Sequence, residues 1–507
     1  MSFNWKQLQN GSDIRGVALD GIAGQEVNLN TTIVSQLGTA FYQWLSQQNK
    51  GVATIKIAVG MDSRLSGPDL KAAFIESLIK SGAEVFDCGM ASTPAMFMST
   101  ITEPCMAHGG VMLTASHLPF NRNGLKFFTP KGGLEKQDIS DILTIAENGA
   151  EHKSGSEGSC TELDFIDVYS KLLADKIRKE VNNETNFDKP LSGFKITVDA
   201  GNGAGGFYAS KVLEVLGADV SSSQFLDPDG RFPNHVPNPE DAIAMKSICD
   251  AVKANQSDLG IIFDTDVDRA AIVDEKGNPI NRNELVALSA AIVNEEHPGS
   301  TVVTDSITSD GLAWFINDAL KAKHHRFKRG YKNVINEAIR LNEAGEESWL
   351  AIETSGHAAL KENYFLDDGA YLVTKCVIKM AQLKAEGKSL TTLIKELPVP
   401  AESKEFRINI EEADFKTYGE KVISELGHLA SSKTGWELAP DNYEGVRVSI
   451  NNQHVNGWFL LRLSLHDPVI PLNIETNEAG GVDYIAEQLL SFFENFNKLD
   501  LKSLINR

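Results

Sequence analysis

The chain has 507 residues, 42% hydrophobic and 23% charged. This describes an ordinary globular protein, too long for one core and sized for roughly three or four domains. Its formal charge, 48 − 69 = −21, argues against nucleic-acid and anionic-membrane partners, which need a basic face, but leaves room for a phosphorylated small molecule held by local cations. The five cysteines (Cys88, Cys105, Cys160, Cys249, Cys376) are scattered, odd in number and without zinc-type pairing, as in a reducing cytosol. The opening residues lack signal or transit character and no apolar run approaches the ~20 residues that span a bilayer, so the chain reads as soluble and cytoplasmic.

Three segments share one plan. "TIKIAVGMDSRLSGPDLKAAFIESLIKSGAEVFDCG" predicts a strand ending near Asp62, a polar loop, a helix presenting Leu70, Phe74, Leu78 and Ile79, and a second strand. Val111, Met112 and Leu113 then form a buried strand that gives way to Thr114-Ala115-Ser116-His117. The polar "NGAEHKSGSEGSC" reads as a surface connection. "FKITVDAGNGAGGFYASKVLEVLGADV" repeats the plan, with a strand ending at Asp199, a glycine loop, and a helix carrying Val212, Leu213 and Val215. "STVVTDSITSDGLAWFINDALKA" is the third copy, with Asp305 at its strand end. Strand, loop and helix at this spacing indicate βαβ units. After about Leu397, "EGVRVSINNQHVNGWFLLRLSL" alternates around a turn-prone Asn-Gly and predicts an antiparallel hairpin, followed by a helix from about Asp483 to Phe496. The expected fold is therefore three similar α/β domains with mixed, mainly parallel sheets plus a C-terminal α+β domain, divided as 1–155, 156–275, 276–397 and 398–507.

Four loops carry candidate chemistry. In "IIFDTDVDRAAIVD", Asp264, Asp266 and Asp268 alternate after the apolar strand Leu259–Phe263, so their carboxylates converge. Each pair about 4 Å apart repels by roughly 4 kcal/mol at an effective dielectric of 20. A bound cation relieves this, and three hard oxygens suit Mg²⁺; the alternative is an acidic loop splayed into solvent. Gly201, Gly203 and Gly206 satisfy G-x-G-x-x-G, with Asp219 downstream, which fits a dinucleotide site less well than a glycine turn packing strand on helix. Ser116 lacks the G-x-S-x-G setting of a hydrolase. It is either a turn serine or a hydroxyl presented at a sheet's carboxyl edge, with Lys126 available to neutralise phosphate. Glu353, Ser355 and His357 cluster around Gly356 in "AIETSGHAAL", as a polyhydroxylated ligand or ordinary packing would require.

Taken in order, these segments resemble the α-D-phosphohexomutase superfamily of phosphoglucomutases, phosphomannomutases and phosphoglucosamine mutases. "SDIRG", "VGMDSRLSGP", "TASHLPFNRNGLK", "DPDGRFPNHVPNP", "DTDVDR" and "ETSGH" carry the likeness along nearly the whole chain. The resemblance implies a phosphohexomutase that interconverts hexose 1-phosphate and hexose 6-phosphate, of glucose or mannose, through a phosphoserine and a hexose 1,6-bisphosphate that also serves as activator. It implies phosphoserine at Ser116, with Mg²⁺ held by its phosphoryl oxygen and by Asp264, Asp266 and Asp268. Arg15, Lys126 and His357 match residues that flank the reacting phosphate and assist proton transfer. Arg269, Lys328, Glu353, Ser355, Arg462 and Ser464 match substrate-binding positions. His117 is left as a neighbour of the serine without a role. On this reading the partner is a phosphorylated hexose, with no nucleic acid and no membrane, and the chain is a monomer or homodimer.

The likeness has gaps. Thr265 and Val267 stand where the family's metal loop usually has glycine, which implies a differently shaped loop. In "RLSLHDPVIP", His466 and Asp467 replace the family's Thr-Glu, and Pro471 replaces a second arginine able to clamp phosphate. A phosphoglucosamine mutase, or a non-catalytic sugar-phosphate-binding paralogue, is the alternative reading.

Overall fold

The computed structural model describes residues 3–151, 157–464 and 467–506. It contains two compact units, one of residues 1–285 with 355–392 and the other of residues 286–354 with 393–507. The connection proposed around residue 155 lies partly outside the described residues, as does His466. Among the described residues no helix is long and apolar enough to cross a membrane.

The first unit opens with the strands β1 (Asp13–Val17), β2 (Lys56–Met61), β3 (Glu84–Met90), β4 (Gly109–Leu113), β5 (Arg122–Thr129) and β6 (Ser159–Glu162). They lie in the order β1-β5-β4-β2-β3-β6. The β4, β2, β3 and β6 strands run parallel, and β5 and β1 add antiparallel at one edge. Helices α1 (Thr31–Gln48) and α2 (Gly67–Lys80) cover one face. Val34, Leu37, Phe41 and Leu45 recur at helical spacing on α1 and are fully buried, with the Phe41 ring tilted 42° to that of Phe127 on β5 at 4.8 Å between centroids. The short α3 (Thr93–Met98) follows β3, and its entry is capped by Ser92, whose hydroxyl accepts from the Ala95 N–H.

The same unit continues with α4 (Lys136–Glu147), α5 (Phe165–Val181), β7 (Ile196–Asp199), α6 (Ala242–Asn255), β8 (Leu259–Phe263) and β9 (Ala270–Val273). Strands β7 and β8 are parallel, and β8 turns directly back into antiparallel β9. The helix expected after the glycine loop is a π-helix over Tyr208–Leu213 and a 3-10 turn over Glu214–Leu216. Val212 and Leu213 are buried, but Val215, expected on the same apolar face, is exposed because the change of pitch rotates it outward.

Helix α7 (Arg282–Glu296) carries the chain into the second unit. There β10 (Thr301–Thr304), β11 (Lys323–Arg326) and β12 (Ser348–Ile352) are parallel in the order β11-β10-β12, with α8 (Asp310–Trp314) and α9 (Tyr331–Glu343) as connections. The chain returns to the first unit for a short hairpin, β13 (Ala358–Leu360) and β14 (Leu366–Asp367), and for α10 (Gly369–Ala385).

The rest of the second unit is an antiparallel sheet of β15 (Glu402–Ile410), β16 (Trp436–Leu438), β17 (Val446–Asn451), β18 (Asn456–Leu461) and β19 (Val469–Thr476), ordered β16-β17-β18-β19-β15. Helices α11 (Phe415–Ser432) and α12 (Gly481–Phe493) pack on it. The expected hairpin is present, but its turn is Asn452–Val455, not Asn-Gly. Asn456 and Gly457 open β18 instead, because Asn452 accepts from the His454 and Val455 N–H groups and closes the turn earlier.

Candidate functional site

Asp62 follows β2, Ser116 follows β4 and Asp264 follows β8, all at carboxyl ends of parallel strands, where ligands of open α/β sheets usually bind. Ser116 has φ +51°, a left-handed backbone that a non-glycine residue holds only when its surroundings enforce it. The enforcement comes from two sides. Thr114 Oγ1 accepts from the Ser116 N–H at 2.9 Å. Arg64, almost fully buried, donates to the carbonyls of Pro119 (2.9 Å), Arg122 (3.0 Å), Leu118 (2.7 Å) and Ser116 itself. One guanidinium thus winds the whole loop around itself. Burial lowers Arg64 and raises its partner Asp62, whose pKa is pushed up to about 6.

The Ser116 hydroxyl donates to Asp264 Oδ2 (3.1 Å) and accepts from Arg269 Nη2 (3.0 Å). Arg269 also contacts Asp264 through Nε (3.1 Å), His117 Nδ1 through Nη2 (2.7 Å) and Asn238 Oδ1 through Nη1 (3.2 Å). Since Arg269 only donates, His117 Nδ1 is the unprotonated nitrogen of a neutral ring. Burial first, then the Arg269 charge, pushes His117 down to about 3. His117 Nδ1 therefore accepts from Arg269, lies 3.3 Å from the serine oxygen, and is a poor base near neutral pH.

The aspartate loop is held from several sides. Lys126, inward-facing on β5 opposite Met112, donates to Asp266 Oδ2 at 3.0 Å and to Asp268 Oδ2. Thr93, at the start of α3, donates its hydroxyl to Asp266 Oδ2 (2.5 Å) and its N–H to the Asp266 carbonyl (2.9 Å). The glycine loop packs underneath: Ala204 N–H donates to the Thr265 carbonyl at 2.8 Å, and a Cβ on Gly203 would sit 2.6 Å from that oxygen. Close backbone packing accounts for that glycine. Val267 has φ +68°, the region where glycine is at ease. Valine holds this left-handed backbone at a cost of roughly 1–2 kcal/mol.

Asp264, Asp266 and Asp268 place one carboxylate oxygen each within 4.8 Å of the others. Asp266 Oδ1 and Asp268 Oδ1 are buried and accept no hydrogen bond, while each sister oxygen is pinned by Lys126. Burial and the Asp268 charge raise Asp264 well above the carboxylate range. Asp268 lies far below that range: burial opposes this, but Lys126, His357 and Arg269 outweigh it. Convergent hard oxygens, two of them without a donor, fit a divalent cation.

The loop before β13 reaches this cluster through Gly356 (φ +94°), whose Cβ would lie 2.6 Å from the Ala270 carbonyl. That approach sets His357 opposite Arg269, 4.0 Å from Asp268 and hydrogen-bonded to Asp367 Oδ2 at 2.6 Å. Burial alone would depress His357, but Asp367 and then Asp268 overcome it and hold the ring up to about 9. Ser355 is buried nearby in sequence, and its Oγ has no hydrogen-bond partner. Arg15 pairs with Asp13 at 3.0 Å on β1 and contributes positive charge at His117 and Arg64.

The remaining expected residues belong to the second unit. Glu353 accepts from the Gly330 N–H at 2.6 Å. Lys328 is exposed, its ammonium 5.9 Å from the Phe327 ring. Arg462 is 8% exposed, and its Nε has no hydrogen-bond partner. Burial and the nearby Arg329 lower it. Ser464 Oγ accepts from the Asp467 N–H at 3.3 Å, and the Pro471 carbonyl accepts from the Arg462 N–H at 3.1 Å. The first unit thus joins Ser116, Lys126, the three aspartates, Arg269 and His357, and the second holds Lys328, Glu353, Arg462 and Ser464. Sequence reasoning passed over Thr93, Arg64, Asn238 and Asp367, although "VGMDSRLSGP" and "DPDGRFPNHVPNP" already carried Arg64 and Asn238.

Family models described as phosphoglucomutase/phosphomannomutase α/β/α domains I, II and III match residues 6–153, 171–277 and 281–400. The chain is 30% identical over 479 residues to a phosphomannomutase/phosphoglucomutase of Pseudomonas syringae pv. tomato, covering 93% of this chain and 92% of that one. It is 28% identical over 447 residues to a phosphoglucomutase of Neisseria gonorrhoeae, covering 88% and 90%. A crystal structure of a phosphoglucomutase/phosphomannomutase family protein from Burkholderia thailandensis superposes with a TM-score of 0.75 at 25% identity, covering 96% of each chain. With three matching domain models in order and a likeness running almost end to end, the chain belongs to the phosphoglucomutase/phosphomannomutase family of the α-D-phosphohexomutase superfamily, a family of isomerases that act as intramolecular phosphotransferases.

Proposed function

We propose that this protein is a hexose-phosphate mutase that interconverts the 1- and 6-phosphates of glucose or mannose, with Ser116 as phosphoryl carrier and Mg²⁺ as its metal. The observation that carries the reading is Ser116 itself. Its hydroxyl stands on a strained, over-determined turn between the Arg269 guanidinium and an aspartate trio with two unpartnered oxygens. Asp264, Asp266 and Asp268 would hold Mg²⁺ together with an oxygen of the phosphoserine. Bound there, Mg²⁺ supplies positive charge that offsets the phosphoryl oxygens during transfer.

The protein's own groups do the rest. Ser116 Oγ carries the phosphoryl group and gives it to the free hydroxyl of the bound hexose phosphate, making a hexose 1,6-bisphosphate. Arg269 and Lys126 stabilise the charge on the transferring oxygens. His357, kept protonated by Asp367, and Arg15 stand at the flank where a proton is moved. Glu353 and Ser355 bind sugar hydroxyls, and Lys328, Arg462 and Ser464 hold the phosphate that is not reacting. After the bisphosphate turns over, its other phosphate returns to Ser116.

Purified protein given Mg²⁺ and a hexose bisphosphate is tested on glucose, mannose, glucosamine and N-acetylglucosamine phosphates. Turnover of glucose or mannose phosphate, with phosphate on Ser116 by mass spectrometry, is the expected result. Turnover of glucosamine phosphate alone moves the protein to the aminosugar branch. Binding without turnover of any of the four makes it a sugar-phosphate-binding protein.

A further inference from the structure

The second unit carries a carboxylate that the proposed chemistry does not use. Glu444, half-buried in the loop between β16 and β17, accepts two hydrogen bonds on one oxygen, Oε2: from the Ser306 hydroxyl at 2.5 Å and from the Arg329 N–H at 3.1 Å. Both donors lie just past the carboxyl ends of parallel strands, Ser306 after β10 and Arg329 after β11. A segment of the antiparallel sheet thus reaches over the edge of the α/β sheet where ligands usually bind.

The residues beside Glu444 fix where it stands. On one side, the Tyr443 ring lies 4.9 Å from that of Phe327 and 5.4 Å from that of His325. Lys328 is therefore flanked by two contacts from this segment, Tyr443 on Phe327 and Glu444 on Arg329. On the other side, Gly445 has φ +59°, and a Cβ there would overlap the Leu461 carbonyl and lie 2.8 Å from the Arg462 Cα. Glu444 is thus one residue from the point where β18 ends and Arg462 begins. Arg447 anchors the segment separately. It donates to the Ser306 carbonyl at 3.0 Å and to Asp310 Oδ1 at 2.8 Å, and its guanidinium lies 3.6 Å from the Trp458 ring centroid.

A negative charge beside groups that hold a phosphate repels the ligand, so its use here is geometric. Lys328 is exposed on a long flexible stem, and a cation on a loose loop binds weakly because the loop must be ordered on binding. We propose that Glu444 is a positioning residue for the phosphate site: it ties the loop that carries Lys328 to the strand end that carries Arg462, so that both cations are in place before the phosphate arrives. This role rests on the proposed function of Lys328 and Arg462 in holding the phosphate that is not reacting. Glu444 acts through its two hydrogen bonds and not through its charge, and the amide oxygen of a glutamine can accept from the same two donors.

Glucose 1-phosphate titrated calorimetrically into the full-length protein and its variants tests this. Glu444→Ala should weaken binding about tenfold and raise KM to match, with kcat nearly unchanged. Glu444→Gln should restore binding to within about twofold of the parent. In a Lys328→Met background, Glu444→Ala should weaken binding no further, because the loop it positions no longer carries a charge. A glutamine variant as weak as the alanine variant would assign the effect to charge, and one that binds about tenfold more tightly than the parent would make Glu444 a repulsive gate. An undiminished loss in the Lys328→Met background would mean that Glu444 acts elsewhere. Each of these three results overturns the positioning role. Arg447 and Tyr443 keep the segment docked, so Glu444→Ala should still unfold cooperatively on heating; loss of that transition would make Glu444 a residue of the fold and overturn the role too. Failure of the phosphate-holding reading looks different: the parent would not bind glucose 1-phosphate, or Lys328→Met would bind it as tightly as the parent. Either result sinks the positioning role as well.

Discussion

The serine and aspartate loops of the first unit and the Arg462 loop of the second are built on opposite plans. Around Ser116, one buried guanidinium, Arg64, gathers four loop carbonyls, and the aspartate loop is held by Lys126, Thr93 and Arg269, although Asp266 Oδ1, Asp268 Oδ1, Thr265 Oγ1 and Arg64 Nε have no hydrogen-bond partner. Around Arg462, a buried guanidinium keeps one N–H without an acceptor, the Pro471 carbonyl takes its backbone N–H, and Ser464 Oγ accepts only the Asp467 N–H at 3.3 Å. The first region is over-determined, so small changes there should be felt in chemistry. The second has slack, so changes there should be felt in binding.

Ser116→Ala should show the largest effect, a fall in mutase turnover on the order of 10⁴-fold or more, with the Mg²⁺-bound protein still folded by circular dichroism. Full rate in this variant would remove Ser116 from the mechanism. Lys126→Met sharpens the contrast by splitting two quantities. Removing the cation from between Asp266 and Asp268 should cost turnover about 10²-fold, yet tighten Mg²⁺ binding in a calorimetric titration because the metal no longer competes with an ammonium. Loss of both together would mean that Lys126 only supports the fold. Arg462→Ala should raise KM about tenfold with kcat nearly unchanged; an equal fall in kcat would place the two regions on the same footing.

The smallest effect concerns stability and pH. His235 is paired with Asp199 at 3.0 Å and, although burial opposes it, these hydrogen bonds and charges raise its pKa. A raised histidine stabilises the fold most below its unfolded pKa of about 6.5 and loses that contribution as pH rises through the folded value. His235→Asn should therefore lower the thermal midpoint more at pH 5.5 than at pH 9. A pH-independent difference would assign His235 to packing alone.

Strand ends were the most legible part of the sequence. Asp199 ends β7 and Leu259–Phe263 is β8, because β-branched runs stop where polar residues begin. The triple aspartate and the Ser116 loop were visible as local patterns. Contacts between distant segments were not. Thr93 meets Asp266 across 173 positions, and Arg64 meets the serine loop across 52 to 58, so no window of sequence contains either pair. The backbone at Val267 was hidden for another reason: the sequence lists a β-branched residue, and only the structure reveals its left-handed conformation. The Asn-Gly pair misled because a competing asparagine, Asn452, closed the turn first.

Arg64 also decides whether the serine loop can be transplanted. The loop's curvature is stored in a side chain anchored beyond a different strand, and four of its carbonyls point inward to that one group. A peptide copied from Thr114 to Lys126 would carry the letters of the motif without its shape, since those carbonyls would turn to water. Grafting a phosphoryl-accepting serine of this kind onto another α/β scaffold requires moving two loops, with the arginine as the indispensable passenger.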